Sequence, residues 1–409
     1  MSTHYDVIVI GGGAAGEHAA GALAEGGLRV AVVERELIAG EDAPTRRDFA
    51  ASGHSGAGGI DLLRGTGRLA GHCTVSVDGV RYTTGHIVVA TGAEPIIPPI
   101  RGLRELDGVW TSREATGTKA VPRRLLVLGG GRVGVELAQA MRRLGGEVVL
   151  IERSERVLPR EAEPLGEALG EVLRRDGVEV VLGVRASAAR RDGEHYVLRL
   201  DDGREVRGDR LLLATGRRPR VNGIGLETLR MVPDARGLAV DEHLSAGASL
   251  WAIGGVTGIC PLTHVGKYQA RIVAANILGE PREAHYEAVP RVTFTDPQAS
   301  AVGACDDRFE STVRLSDVFK AAGLRRTDAK SDGYLTLLSD GERLTGAHAL
   351  GPDASEWMQQ ATLAIRARIS LDMLGDTIQP FPTFSEIYVA AVQRLQDEIG
   401  AAQTVAAAS

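Results

Sequence analysis

A Gly-x-Gly-x-x-Gly pattern placed directly behind a short apolar run is the first feature whose residue types and spacing suggest chemistry. Val7-Ile8-Val9-Ile10 is rich in β-branched residues and reads as a buried parallel strand. Gly11, Gly13 and Gly16 follow at once, with Ala14 and Ala15 opening an alanine-rich helical stretch. A second apolar strand, Val30 to Val33, then ends on Glu34 and Arg35. In such a βαβ unit the first glycine makes the tight turn, the second admits a pyrophosphate, and the third lets helix and strand pack closely. The pyrophosphate would rest on free N–H groups at the helix N-terminus, and Glu34 would accept hydrogen bonds from a ribose diol.

The unit recurs. Leu126-Val127-Leu128 leads into Gly129, Gly131 and Gly134, with Arg132 and Val133 between the last two, and the strand Val148 to Ile151 ends on Glu152 and Arg153. Laid over the first copy, Gly11, Gly13, Gly16, Glu34 and Arg35 fall on these later residues without a gap. Two complete fingerprints imply two dinucleotides, or two former dinucleotide sites. The charge of Glu152 repels a 2′-phosphate and favours NADH, whereas Arg153 and Arg156 could pair with that phosphate and keep NADPH as the alternative.

Other chemistries find little support. A formal net charge of −6 over 409 residues provides no basic field for nucleic acid. No apolar run is long enough to cross a bilayer, and the first five residues carry no basic leader, so the expectation is a cytoplasmic protein without a membrane partner. The three cysteines, Cys73, Cys260 and Cys305, match no metal-ligand spacing, and no metal site is expected. The length predicts two or three domains.

Further motifs sharpen this reading. Val88 to Pro95 contains Ala90, Thr91 and Gly92; Leu213 to Pro219 contains Gly216; Trp251 to Gly255 contains Gly254 and Gly255. His264 to Gln269, Pro290 to Pro297 and Pro382 to Glu386 complete the set. With these motifs the chain resembles, over nearly its whole length, the group I pyridine nucleotide–disulfide oxidoreductases, the class of lipoamide dehydrogenase, glutathione reductase and mercuric reductase. The resemblance implies an α/β fold of two Rossmann-like dinucleotide-binding domains, one inserted in the other, plus a C-terminal α+β interface domain. The expected boundaries are 1–112 and 221–285 for an FAD-binding domain, 113–220 for an NAD(P)-binding domain, 286–400 for the interface domain and 401–409 for a frayed tail. It also implies FAD at the first fingerprint, NADH or NADPH at the second, a homodimer through the C-terminal domain, and Glu136 as the acid that orients the nicotinamide ring.

Three departures fall on the chemistry. The family carries a pair of cysteines separated by four residues after the acid that ends the second strand. Here that stretch, Glu36 to Thr45, holds Gly40 but no cysteine, and the chain passes quickly to Gly59 as though a helix-bearing segment were missing. Ser52 to Gly59 reads as a flexible loop. The family's histidine before the C-terminal Pro-Thr is Phe381, which cannot carry a proton. The aspartate of the second flavin motif is Gly255, and losing one charge-assisted bond weakens binding by about 1.5–3 kcal/mol.

Two active readings follow. One is a flavoprotein oxidoreductase without dithiol chemistry, acting on a small organic molecule. The other is a redox-silent biosynthetic enzyme (a cyclase, isomerase or dehydratase) built on the inherited fold. His264 and Glu386 are the catalytic candidates, with Glu41, Asp42 and His54 as further polar groups. A regulatory partner subunit is a third reading, supported only by the missing groups.

Overall fold

The computed structural model describes residues 4–35, 59–318 and 333–408. The chain forms two compact units, Met1–Ile96 with Gly216–His285, and Ile97–Thr215 with Tyr286–Ser409. Residues 97–112 thus belong with the second fingerprint, and residues 216–220 with the first.

The first unit begins with strand β1 (His4–Ile10), helix α1 (Ala14–Glu25) and strand β2 (Val30–Glu34), followed by β3 (Ile60–Arg64). β1 pairs in parallel with β2, Val7 opposite Val30, and β2 pairs in parallel with β3. β4 (Gly67–Leu69) and β5 (Thr74–Val77) form an antiparallel flap, and β6 (Val80–Val89) returns beside β1 in parallel. β7 (Ala93–Pro95) closes this half.

The chain then enters the second unit. Helix α2 (Ser112–Gly117) starts on a capping box in which Glu114 accepts from the Thr111 N–H at 2.7 Å. Next come β8 (Arg124–Leu128), α3 (Arg132–Arg143), β9 (Glu147–Ile151), α4 (Glu163–Arg175) and β10 (Glu179–Val181). The meander β11 (Ala186–Asp192), β12 (His195–Leu200) and β13 (Glu205–Gly208) precedes β14 (Arg210–Leu213). The parallel sheet has the order β10-β9-β8-β14.

Back in the first unit, β15 (Arg217–Pro219) pairs with β7, and β16 (Ser245–Gly247) and β17 (Leu250–Ala252) complete the sheet before α5 (Thr263–Ile277). The strand order is β16-β17-β6-β1-β2-β3. Both faces of this sheet are covered, which explains why its strands read as continuous apolar runs. Val7, Val9, Val30 and Val32 pack toward α1 and α5, and Ile8, Ile10, Ala31 and Val33 pack on the opposite side. The second copy repeats the division. Leu125, Val127, Val148 and Leu150 face α3 and α4, while Leu126, Leu128, Val149 and Ile151 face the β11–β13 meander.

The second unit ends in an antiparallel sheet of β18 (Arg291–Thr293), β19 (Gln298–Gly303), β20 (Phe309–Arg314), β21 (Tyr334–Ser339) and β22 (Leu344–Gly351), in the order β18-β19-β22-β21-β20. Helices α6 (Leu315–Val318), α7 (Ala354–Trp357), α8 (Gln359–Arg366), α9 (Leu371–Gly375) and α10 (Ile387–Ala408) accompany it. Ile387, Tyr388, Ala391, Val392 and Leu395 of α10 bury against Leu335, Leu337, Ala347 and Ala349 of the sheet. Residues 401–408, expected as a tail, extend α10. α10 continues through Ala408, because alanine is the strongest helix former and no glycine or proline interrupts residues 401–408.

Candidate dinucleotide sites

The two fingerprints fold alike in detail. Gly11 has φ +113° and Gly129 φ +114°, a region that L side chains avoid. A Cβ at either position would collide with a carbonyl oxygen, that of Ala90 for Gly11 and that of Ala214 for Gly129. Gly16 and Gly134 lie in the first turns of α1 and α3, where a Cβ would run into the carbonyl oxygens of Gly11 and Gly129. These four glycines are therefore fixed by the protein's own packing. Gly13 and Gly131 differ: each is the N-cap of its helix, without a side-chain cap, and a Cβ there would meet nothing within 4 Å. Empty space over uncapped helix N–H groups is what a pyrophosphate requires. Ala14 and Ala15 begin the first helix, and Arg132 and Val133 begin the second.

The acids close each turn. Glu34 Oε2 accepts from the Gly12 N–H at 2.8 Å, and Glu152 Oε2 accepts from the Gly130 N–H at 2.6 Å. Glu152 Oε1 also accepts from Ser154 N at 2.9 Å, and the residue is 7% exposed. These carboxylates thus brace the glycine turn, a role that sequence reasoning assigned only to ribose recognition. Arg35 and Arg153 are exposed just beyond the acids. His18, in α1, is held below its ordinary pKa first by burial and then by Arg271 and Lys267, a positive flank along the helix that carries the first fingerprint.

The second flavin motif packs against the same helix start. Gly254 (φ +72°) would place a Cβ 3.2 Å from the Ala15 Cβ, and Gly266 of α5 would place one 3.0 Å from it. The wholly buried Gln269 pins this turn by accepting from the Gly254 N–H at 2.6 Å. Gly255, where the resembled family has aspartate, lies against Ala93; a Cβ there would be 3.0 Å from the Ala93 Cβ. Ala90 backs Gly11, Thr91 Oγ1 donates to the Arg220 carbonyl at 2.9 Å, and the Gly92 carbonyl accepts from Arg220 N at 3.0 Å. Gly216 (φ +112°) opens the β15 strand. The residues present therefore fit the pyrophosphate half of FAD, while Gly255 offers no carboxylate.

In the second unit, Glu136 Oε1 accepts from the Phe294 N–H at 2.8 Å. Gln139, one turn along α3 and 4% exposed, binds Asp296 through both ends of its amide, accepting from the Asp296 N–H at 2.8 Å and donating to the Asp296 carbonyl at 2.9 Å. Arg143 adds an ion pair to the Asp296 carboxylate at 2.7 Å. Sequence reasoning missed this seam. The i, i+3, i+7 spacing of Glu136, Gln139 and Arg143 was visible, but its long-range partner was not.

The remaining candidates are scattered. His264 is exposed in the first turn of α5 in the first unit, and Glu386 ends a 3₁₀ turn (Phe384–Glu386) before α10 in the second. Phe381 is 71% exposed. Gly40, Glu41, Asp42 and His54, and the loop expected from Ser52, lie outside the described residues apart from Gly59. Among the described residues no group of three or more His, Cys, Asp or Glu side chains could hold a metal ion. No described helix is long and apolar enough to cross a membrane.

Residues 5–270 match the family described as pyridine nucleotide-disulphide oxidoreductase, and residues 289–392 match its dimerisation domain. Similar curated proteins include the dihydrolipoyl dehydrogenase of Thermus scotoductus, 33% identical over 353 residues, covering 83% of this chain and 76% of the relative. The mercuric reductase of Streptomyces lividans is 34% identical over 364 residues, covering 83% and 75%. Dihydrolipoyl dehydrogenase 3 of Pseudomonas aeruginosa aligns over 455 residues at 31% identity, covering 94% of this chain and 97% of the relative. That alignment is longer than the 409-residue chain, so the relative carries residues with no counterpart here. Among solved structures, the HOCl-induced flavoprotein disulfide reductase RclA from Escherichia coli superposes with a TM-score of 0.82 at 25% identity, covering 95% of this chain and 99% of that one.

Proposed function

The chain belongs to the pyridine nucleotide–disulphide oxidoreductase family, and we propose that it is an FAD- and NAD(P)H-dependent oxidoreductase that acts on a small organic molecule without a redox disulfide. The family is one of flavoprotein oxidoreductases that use FAD and NAD(P)H, and its dimerisation domain implies a homodimer.

The observation that carries the reading is the matched pair of cradles. Gly13 and Gly131 both leave open space over an uncapped helix start, and both turns are braced by an acid. A chain that no longer handled two dinucleotides would have no need of that space. Loss of the dithiol is supported by the cysteines: Cys73, Cys260 and Cys305 are free, and no two are near in sequence. Thiol–disulfide exchange requires a second sulfur. Bound flavin supplies the two-electron chemistry, and the protein supplies placement and charge. In this proposal Gly11, Gly13, Ala14, Ala15, Gly16 and Glu34 hold FAD with Gly254, while Gly129, Gly131, Arg132, Val133, Gly134 and Glu152 hold the nicotinamide dinucleotide. NADH is the preferred donor, because a carboxylate at the end of the second strand, here Glu152, repels a 2′-phosphate. Comparing kcat/KM for NADH and NADPH tests that preference, and a higher value for NADPH would reverse it.

Gly255 favours a second reading, a redox-silent enzyme on the same scaffold, because the flavin motif has lost its acid there. The two readings part on one experiment. Flavin that is retained but not reduced by either nicotinamide supports the second, and nicotinamide-dependent reduction of the flavin supports the first.

A further inference from the structure

The outer face of the β11–β13 meander carries an unusual juxtaposition. Arg101 bridges to Ala188, Ala188 stands opposite Arg199, and Arg199 stands opposite Glu205, so one cross-strand row reads Arg-Ala-Arg-Glu. In the next row Arg190 stands opposite Val197. These six residues line a concavity of about 100 Å³. Its lining combines the short side chains of Ala188 and Val197 with three arginines and Glu205. Arg190 is neutralised by Glu205 at 3.0 Å and by Asp192 at 3.4 Å. Among the described residues no carboxylate pairs with Arg101 or Arg199, and both are exposed.

We infer that this concavity binds a phosphate group, at a site separate from both fingerprints. The lining carries three arginines and one glutamate, and Arg190 is already balanced by Glu205 and Asp192, so Arg101 and Arg199 leave an excess of positive charge that an anion would relieve. Planar guanidinium forks match the oxygens of phosphate and bind it in pairs. The volume is well below the roughly 300 Å³ at which pockets for drug-sized ligands begin, so it suits an ion or the phosphate end of a small ester rather than a dinucleotide. All six residues lie in one compact unit, and none belongs to the glycine turns.

The test is calorimetric titration of the purified protein with inorganic phosphate, then with glycerol phosphate, holding ionic strength constant with chloride. Saturable binding is expected. Arg101→Gln and Arg199→Gln should each weaken it about two- to fivefold, and the double variant about tenfold or more. Arg174→Gln, on α4 away from the meander and paired with Glu171 at 2.7 Å, should leave it unchanged. Tighter binding of the ester would identify a phosphorylated metabolite as the ligand, and equal or tighter binding of the inorganic ion would identify free phosphate. Far-UV circular dichroism of the variants separates lost binding from lost fold. No saturable binding beyond that of chloride, or binding that survives in the folded double variant and disappears in Gly131→Val, would overturn the inference.

Discussion

The carboxylate of Glu136 accepts a hydrogen bond from the backbone N–H of Phe294 at 2.8 Å, tying the helix that starts at the second fingerprint to the segment that opens the dimerisation sheet. The residue expected to orient a nicotinamide ring thus also has a structural duty. Glu136→Ala should lower stability by about 1 kcal/mol, whereas Glu136→Gln keeps an acceptor and should stay within about 0.5 kcal/mol of the parent. Urea midpoints measure both. Equal losses in the two variants would show that the tether does not matter.

The glycines of one fingerprint should separate by role. Gly131→Val meets open space but is a poor N-cap, so it should cost no more than about 1 kcal/mol of stability while lowering nicotinamide affinity at least about tenfold. Gly134→Ala drives a Cβ into the Gly129 carbonyl and should destabilise the protein by about 1–3 kcal/mol, although alanine is the better helix former. Thermal melts and nucleotide titrations of the two variants decide the matter. Unchanged nucleotide affinity in Gly131→Val would remove the second site.

Much of this was legible because it is local. The strand, glycine turn, helix and acid of each fingerprint lie within about thirty residues, and the alternating faces of β1 and β8 follow from strand period alone. What could not be read depends on distant partners. Gln269 shows only a polar residue inside an apolar helix until Gly254 is placed beside it. Gln139 likewise needs Asp296, and the concavity beside Arg101 exists only once the meander's register brings Ala188 between two arginines. Residues 401–408 read as a tail because an Ala-rich end shows no packing partner in sequence, yet alanine's propensity carries α10 through them.

Restoring an acid at Gly255 should not succeed alone. The new Cβ would lie 3.0 Å from the Ala93 Cβ, tighter than side chains normally approach. Gly255→Asp with Ala93→Gly should bind FAD about ten- to a hundredfold more tightly than the parent, while Gly255→Asp alone should gain much less. Flavin fluorescence titration reports both. A full gain in the single variant would show that Ala93 is no obstacle.

His348 should make the fold acid-sensitive. It is 3% exposed, its Nδ1 lies 3.4 Å from the Tyr334 hydroxyl, and burial pushes its pKa down to about 4. Unfolded, the imidazole titrates near its ordinary value of 6.5. Between those values the unfolded chain binds the proton and the folded one does not, so stability rises with pH. The contribution is complete above pH 6.5 and is lost as pH falls toward 4, on the order of 3 kcal/mol over that window. Urea midpoints from pH 7.5 to 4 should therefore fall more steeply for the parent than for His348→Gln. Parallel curves would show that His348 does not carry the effect.

Under the proposed function the chain works with two dinucleotides and without a redox disulfide. The direct test is the visible spectrum of the protein purified without added cofactor, recorded before and after anaerobic addition of NADH. A flavin band that bleaches is expected under the proposed function, and that bleaching should be lost in Gly131→Val. A flavin band that persists with both NADH and NADPH, or no band even after incubation with FAD, would contradict it.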